Sequence, residues 1–198
     1  QDAAIEDMEL RIERLQHRNP VYGIDYGNMR FEHINLAFDR FEIDGQVISA
    51  DVRSASLTEQ SGFVLEDLSG KFFLTNGALG FVDTRLKLPY SDLTISELAI
   101  AGNAWTEYKR YVNEVEMMLR VSGSVATDDV AYFAPSLRRW QTRASDLEVE
   151  LEGKVDHFDA RINRAKIGDH TSLRAMGLVT GLPDWRKAHF DIRLTDMQ

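Results

Sequence analysis

Histidines and carboxylates are the groups in this chain that could bind a metal ion or transfer a proton. The five histidines are scattered: His17, His33, His157, His170 and His189. None lies in an HExxH motif or four residues from another histidine, the spacing that would place two on one face of a helix. Asp156, His157 and Asp159 come closest to a ligand cluster, but a strand would place the first two on opposite faces. We interpret this stretch as an ordinary turn and predict neither a metal site nor a cofactor.

Motifs for covalent and nucleotide chemistry are absent from the sequence. It contains no cysteine, no GxSxG, no GxxxxGK[ST] and no GxGxxG, so acyl transfer and nucleotide binding lack their usual residues. The adjacent carboxylates Asp128 and Asp129 resemble a helix cap and its first turn. We therefore assign no catalytic residue and expect that the chain is not an enzyme.

The overall charge argues against nucleic-acid binding. The chain has 32 acidic and 23 basic residues among its 198, a formal net charge of −9, which disfavours binding to a phosphate backbone. No run of 18 apolar residues and no leader pattern is present, so a membrane anchor would lie outside this segment. Because the chain lacks an initial Met and stops directly after an alternating stretch, we expect it to be an internal fragment of a longer protein.

Period-two alternation is the dominant pattern and predicts strands with one apolar and one polar face. Its clearest instance places Leu147, Val149 and Leu151 on one side. Glu148, Glu150 and Glu152 occupy the other side, which we predict to be a solvated strand face. Similar stretches recur throughout the chain and predict about ten to twelve strands. The opening stretch 8–15 also suits a helix, but we favour a strand.

Turn signals punctuate these strands. Asp44-Gly45, Ser61-Gly62, Asn76-Gly77 and Gly168-Asp169 have hairpin spacing. Pro89 lacks an N–H group, and we expect it to end a strand rather than form a hairpin turn.

A short pattern, apolar–x–Gly–polar–apolar, recurs in the sequence, with instances around Gly45, Gly70, Gly123 and Gly153. It indicates either stacked hairpin units or glycines that relieve crowding and mark bulges.

Helices are few. One is predicted from Trp105 to Asn113, and another from an N-cap at Thr127 or Asp128 to a stop near Pro135. The chain then divides into strands over 1–102, short helices around one strand over 103–140, and strands over 141–198, all in a single β-rich segment. Two short helices cannot cover ten strands. The apolar faces must therefore pack on each other or line something apolar outside this chain.

Four segments resemble the TamB-like translocation and assembly module proteins of Bacteroidetes, within the AsmA-like group. They are residues 61–72, 91–93, 126–137 and 181–184. The most specific is the stretch from Asp129 to Leu137, which contains Tyr132-Phe133-Ala134-Pro135. The resemblance extends from about Ile24 to the end of the chain.

The resemblance implies an all-β fold: an elongated, curved antiparallel sheet that forms a groove, a β-taco, with one or two short helices. It also implies a slice of a periplasmic protein that is anchored in the inner membrane of a Gram-negative bacterium by a helix absent from this segment. Such proteins are associated with phospholipid transport between the inner and outer membranes. They are also associated with outer-membrane biogenesis beside a TamA-like barrel insertase. The family offers no catalytic motif.

The residue pattern itself agrees with the resemblance in one respect: an uncovered apolar sheet face would bind acyl chains. We predict these lining positions: Met117, Leu119, Val121, Leu147, Val149, Leu151, Phe158, Ile162, Phe190, Ile192 and Leu194. Alternatively, the same residues close on each other as a dry core. The chain would then be a β-sandwich that recognises glycan or protein through loops carrying Trp105, Trp140 and Trp185, unless these aromatic side chains are core plugs.

Overall fold

The computed structural model describes residues 2–13, 22–25, 27–102, 114–168, 171–182 and 187–197. Eleven strands form one antiparallel sheet, in which each strand pairs with its neighbours in the sequence. The strands are β1 (Ala3–Glu13), β2 (Asn28–Asp44), β3 (Val47–Glu59), β4 (Val64–Leu74), β5 (Ala78–Lys87), β6 (Asp92–Ala101), β7 (Glu116–Ala126), β8 (Arg143–Lys154), β9 (His157–Ile167), β10 (Thr171–Thr180) and β11 (His189–Met197). The predicted fold, an elongated and curved sheet that forms a groove, is confirmed.

The strand count also agrees with the alternation in the sequence. The ambiguous opening stretch is a strand as far as Glu13, and residues 14 and 15 lie outside the described residues. Asp44 ends β2 directly before the turn at Gly45, as predicted. The prediction for Pro89 was wrong in one respect. β5 ends at Lys87, but Leu88 and Ser91 exchange two backbone hydrogen bonds (2.9 and 3.4 Å), so Pro89 lies inside a tight hairpin turn.

The helix after β7 is shorter than the sequence suggests. Helix α1 (Thr127–Val130) has four residues, and a 3-10 helix (Pro135–Arg139) follows it. The N-cap is Ala126, which has no side chain to cap the helix, so the expected cap at Thr127 or Asp128 was wrong. The Thr127 hydroxyl is engaged elsewhere, with the carbonyl of Thr142 at 3.1 Å. The helix predicted from Trp105 to Asn113 lies outside the described residues.

β-bulges account for the curvature of the sheet. Nine of the ten described strand pairs contain a register shift. In the tenth, β5 with β6, both strands skip one residue, Asp83 and Ser96. Asp83 and the bulged Asp146 of β8 have φ angles of 50° and 52°, a left-handed conformation that Asp tolerates better than most residues. Since a bulge bends its strand and increases the twist, a bulge in nearly every strand bends the whole sheet.

The recurrent glycine pattern has two different structural roles. Gly45 lies in the turn between β2 and β3. Gly123 lies within β7 at a φ of 130°, where a Cβ atom would overlap the carbonyl oxygen of Asp92 on β6. The four instances are thus not copies of one hairpin unit, and the crowding interpretation applies to Gly123.

The structure is more open than a compact domain of the same mass. Its accessible surface is 12970 Å², whereas a compact monomer of this mass would expose about 9,500 Å². A single curved sheet accounts for the difference, because no second sheet covers either of its faces in the described residues.

Replacing Gly123 with alanine should destabilise the chain by about 1–3 kcal/mol, because the new Cβ enforces strain at a positive φ and pushes β6 away. The neighbouring exposed Ser122 is the control, and Ser122→Ala should change stability by less than about 0.5 kcal/mol. Urea unfolding followed by circular dichroism measures both. Equal midpoints for the two variants would contradict the proposed close approach.

Candidate functional site

One face of the sheet is apolar across its whole width. Directly paired residues in an antiparallel sheet share a face, so register alone defines rows of side chains that cross the strands. One row joins Phe41, Ala50, Phe72, Phe81, Leu98, Leu119, Leu151, Ala160, Gly177 and Ile192. A second joins Ile43, Ile48, Leu74, Leu79, Ile100, Met117, Gly153, Phe158, Val179 and Phe190.

Two further rows run parallel to these. The third joins Thr84, Ile95, Val121, Val149, Ile162, Ala175 and Leu194. The fourth joins Ile5, Leu36, Ala55, Leu68, Leu86, Leu93, Gly123 and Leu147. Met117, Leu119, Val121 and Gly123 alternate along β7, so all four rows lie on the same side, which we call the apolar face.

All eleven positions predicted to line a groove lie on the apolar face. Eight of them are half-buried: Met117, Leu119, Val121, Leu147, Val149, Leu151, Phe158 and Ile162. The other three, on the last strand, are exposed: Phe190, Ile192 and Leu194. None of the eleven is fully buried, which is the opposite of what a dry core between two sheets would give. Their role in lipid binding stays a prediction.

Side-chain burial indicates that the apolar face is the concave one. Val52, Ile95 and Val179 are only 8%, 9% and 4% exposed although no second sheet covers them in the described structure. Side chains converge on the inside of a bend and diverge on the outside, so curvature accounts for this burial. At the first and last strands, where there are fewer neighbours, Ile12 and Leu194 are exposed.

The opposite face is polar and carries ion pairs between strands. Arg120 contacts Glu97 at 2.5 Å, and Arg85 contacts Asp92 at 2.8 Å. The hydrogen bond from Arg85 lowers the pKa of the Asp92 carboxyl. Glu148, Glu150 and Glu152 all lie on this face, as predicted from the alternation. Exposed ion pairs of this kind contribute little to the free energy of unfolding. Their charged groups do make this face of the sheet favourable to hydrate.

The carboxylates and histidines considered as metal ligands do not form a metal site in the described residues. Asp156 lies in the turn between β8 and β9, as predicted, and its carbonyl accepts a hydrogen bond from Gly181. Within the described residues, no group of three or more His, Asp or Glu side chains is placed to hold a metal ion. In the same part of the chain, no helix is both long and apolar enough to cross a membrane.

A small compact element, the cap (residues 127–140), follows β7 at one edge of the sheet. Its buried Asp129, 2% exposed, accepts hydrogen bonds from the Tyr90 backbone N–H at 3.0 Å and the Ser91 hydroxyl at 2.6 Å. The Ser91 oxygen in turn accepts the Ala126 N–H at 3.0 Å. This network ties α1 to the turn between β5 and β6.

Aromatic packing ties the cap to two other connections. The Tyr132 ring stacks on Tyr22 at 5.6 Å, and Phe63 meets Tyr132 and Phe133 edge-on at 5.9 and 5.0 Å. The Tyr132 carbonyl accepts a hydrogen bond from the Ile24 N–H at 2.9 Å. Burial, together with the nearby Tyr22, raises the pKa of Tyr132. The cap therefore holds the ends of three successive hairpins at fixed positions.

Sequence reasoning placed Asp129 in the first turn of a helix, which is correct, but missed its buried contacts. Three of the four segments that resemble TamB-like proteins meet here, through Phe63, Ser91 and Asp129. The resemblance of these segments was the one sequence signal that could have directed attention to the cap.

The tryptophans proposed for recognition are only partly described. Trp140 is 57% exposed and does not plug a core. Trp105 and Trp185 lie outside the described residues.

Replacing Asp129 with alanine should destabilise the chain by about 2–4 kcal/mol, because two donors lose a charged acceptor in a buried place. The adjacent Asp128 is exposed, and Asp128→Ala should cost less than about 0.5 kcal/mol. Chemical denaturation of both variants measures the difference. A loss below 1 kcal/mol for Asp129→Ala would show that the network does not anchor the cap.

No family model, curated protein or solved structure matches this chain. The resemblance to TamB-like proteins therefore stays a prediction, and the function is argued from the apolar face and the cap.

Proposed function

We propose that the apolar face is a lipid-binding groove that holds the acyl chains of phospholipids and catalyses no reaction. The observation that carries this proposal is the extent of the apolar face. Its four rows each join seven to ten strands, and most of the positions predicted to line the groove are half-buried although no second sheet covers them in the described structure. Large uncovered apolar patches are rare on soluble proteins and mark binding surfaces.

Acyl chains fit this surface energetically. Each CH₂ group withdrawn from water contributes about 0.8 kcal/mol, so a dozen methylenes offer up to about 10 kcal/mol before the entropy of binding is subtracted. No polar group is required for this gain. A face built from aliphatic and aromatic side chains would hold chains of many lengths and registers, which suits transport better than tight storage.

The dimensions also fit. The longest rows join ten of the eleven strands, and the nine spacings between those strands span about 43 Å. One leaflet of a bilayer has a hydrocarbon thickness of about 15 Å. The groove could thus hold several acyl chains end to end and would provide a continuous apolar path.

The proposal also includes the family, the cellular location and the biological process to which the chain belongs. It is a segment of a TamB-like protein of the AsmA-like group, located in the periplasm and anchored in the inner membrane by a part of the protein outside this segment. It contributes to phospholipid transport between the membranes and to outer-membrane biogenesis, beside a TamA-like barrel insertase. Support for this setting comes from the sequence resemblance and from its agreement with the groove-shaped sheet.

The alternative of a glycan- or protein-binding β-sandwich has less support. The described strands form one sheet, whereas a sandwich needs two. Among its three proposed recognition residues, only Trp140 lies in the described part of the chain.

The test uses two neighbouring apolar residues on opposite faces. Leu119 lies on the apolar face and Met118 on the polar face, paired with Glu152. Leu119→Glu should lower the phospholipid that copurifies with the chain about tenfold. A glutamate that displaces even two methylene groups forfeits about 1.6 kcal/mol, and 1.4 kcal/mol corresponds to a factor of ten. Met118→Glu should leave the bound lipid unchanged.

The measurement is mass spectrometry of lipid extracted from protein purified without detergent. Circular dichroism spectra establish that both variants are folded. Equal lipid in the two variants, or none in the folded unmodified chain, would refute the groove.

A further inference from the structure

The end of the cap carries two adjacent arginines, although the cap as a whole has no net charge because Asp128 and Asp129 lie at its start. Arg138 and Arg139 end the 3-10 helix, and both are exposed. Among the described residues, no carboxylate lies within ion-pair distance of either, unlike Arg85 and Arg120 on the sheet, which each pair with a carboxylate. Arg161 and Arg193 on the polar face likewise have no ion pair in the described part of the chain and therefore provide a matched comparison. Two adjacent guanidinium groups are thus available to an anion at one place on a surface that is otherwise net negative.

The two arginines are held in place by aromatic rings. The Arg138 guanidinium lies 4.2 Å above the centre of the Tyr22 ring, and that of Arg139 lies 5.8 Å from Trp140. Stacking uses the flat face of a guanidinium and leaves its N–H edge free for a phosphate or carboxylate. Because Tyr22 itself stacks on Tyr132, the rigid cap fixes the direction of Arg138.

Exposed aromatic side chains lie in the cap and in the turn that it binds. Phe133 and Trp140 of the cap are 45% and 57% exposed, and Tyr90 of the turn is 61% exposed. Tyrosine and tryptophan, which have an apolar body and a polar tip, favour the boundary between hydrocarbon and water, where lipid head groups lie. Basic residues and such rings together suit a ligand that has a charged group next to an apolar one.

The position of the cap suits the same ligand. The apolar rows run across the strands, so the strand ends form the two long edges of the groove. The cap lies at the edge where β7 ends and β8 begins, while Asp44 and Asp156 lie at turns of the opposite edge. A lipid whose chains lie on the apolar face places its head group at an edge, and charge favours the capped edge for a phosphate.

We propose that Arg138 and Arg139 bind the phosphate of an anionic phospholipid whose acyl chains lie on the apolar face, with Trp140 beside the glycerol. This site rests on the proposed function, since the chains position the head group. It adds a fixed head-group contact to a groove that otherwise selects only for apolar character. Binding should weaken as salt screens the exposed charges.

The experiment titrates the full chain with three probes by calorimetry: dihexanoyl phosphatidylglycerol, dihexanoylglycerol without a phosphate, and inorganic phosphate. The double variant Arg138→Gln/Arg139→Gln should bind phosphatidylglycerol about tenfold more weakly and dihexanoylglycerol unchanged. The matched control is Arg161→Gln/Arg193→Gln, which removes two exposed charges from the polar face and should bind both lipids as the unmodified chain does.

The outcomes separate this site from the groove. Unchanged phosphatidylglycerol binding by the cap variant, with dihexanoylglycerol still bound, would overturn the head-group site and leave the groove intact. Binding of inorganic phosphate as tight as that of the lipid would also overturn it, because the site would then recognise a free anion. If neither lipid binds the unmodified chain, the proposed function and the site both fail.

Discussion

A single physical constraint governs this structure. The sheet has two faces, and exposure to water is favourable for the polar face and unfavourable for the apolar face. Charged side chains and interstrand ion pairs cover one face. The other carries four mainly apolar rows and has no second sheet to cover it in the described structure. Bending the sheet reduces the exposed apolar area, and residues such as Ile95 and Val179 are buried although no second sheet covers them in the part of the chain that is described. Bending still leaves a trough whose surface is apolar, and a ligand with acyl chains is what such a trough would bind.

The bulges and the cap shape that trough. Bulges such as those at Asp83 and Asp146 bend individual strands, and Gly123 allows β6 and β7 to approach where a side chain would separate them. The cap acts at a larger scale, because Asp129 and Tyr132 join three hairpin connections that are far apart in sequence. Local bends and a long-range anchor together give the sheet a defined curvature. The same rigid anchor presents Arg138 and Arg139 at the edge, so under the proposal one element serves both shape and head-group recognition.

Much of the fold could be predicted from the sequence, because successive side chains of a strand point to opposite faces of the sheet. The alternation of leucine and valine with glutamate over 147–152 specifies both faces of β8, and the same rule places all eleven predicted lining positions on one face. The cap could not be derived in this way. Its helix has only four residues, too few for periodicity to appear, and the partners of Asp129 lie 38 and 39 residues away. Pro89 shows a related limit, since its lack of an N–H is as compatible with a tight turn as with the end of a strand.

In-cell photocrosslinking tests the central claim most directly. A photoreactive amino acid is placed in the full-length protein at Val149, on the apolar face, or at its neighbour Glu150, on the polar face, and attached phospholipid is detected after irradiation. Adjacent positions control for expression and folding. The account predicts lipid adducts at Val149 and none at Glu150. Adducts at neither position, with both proteins folded, would show that the apolar face is closed to lipid and would contradict the account.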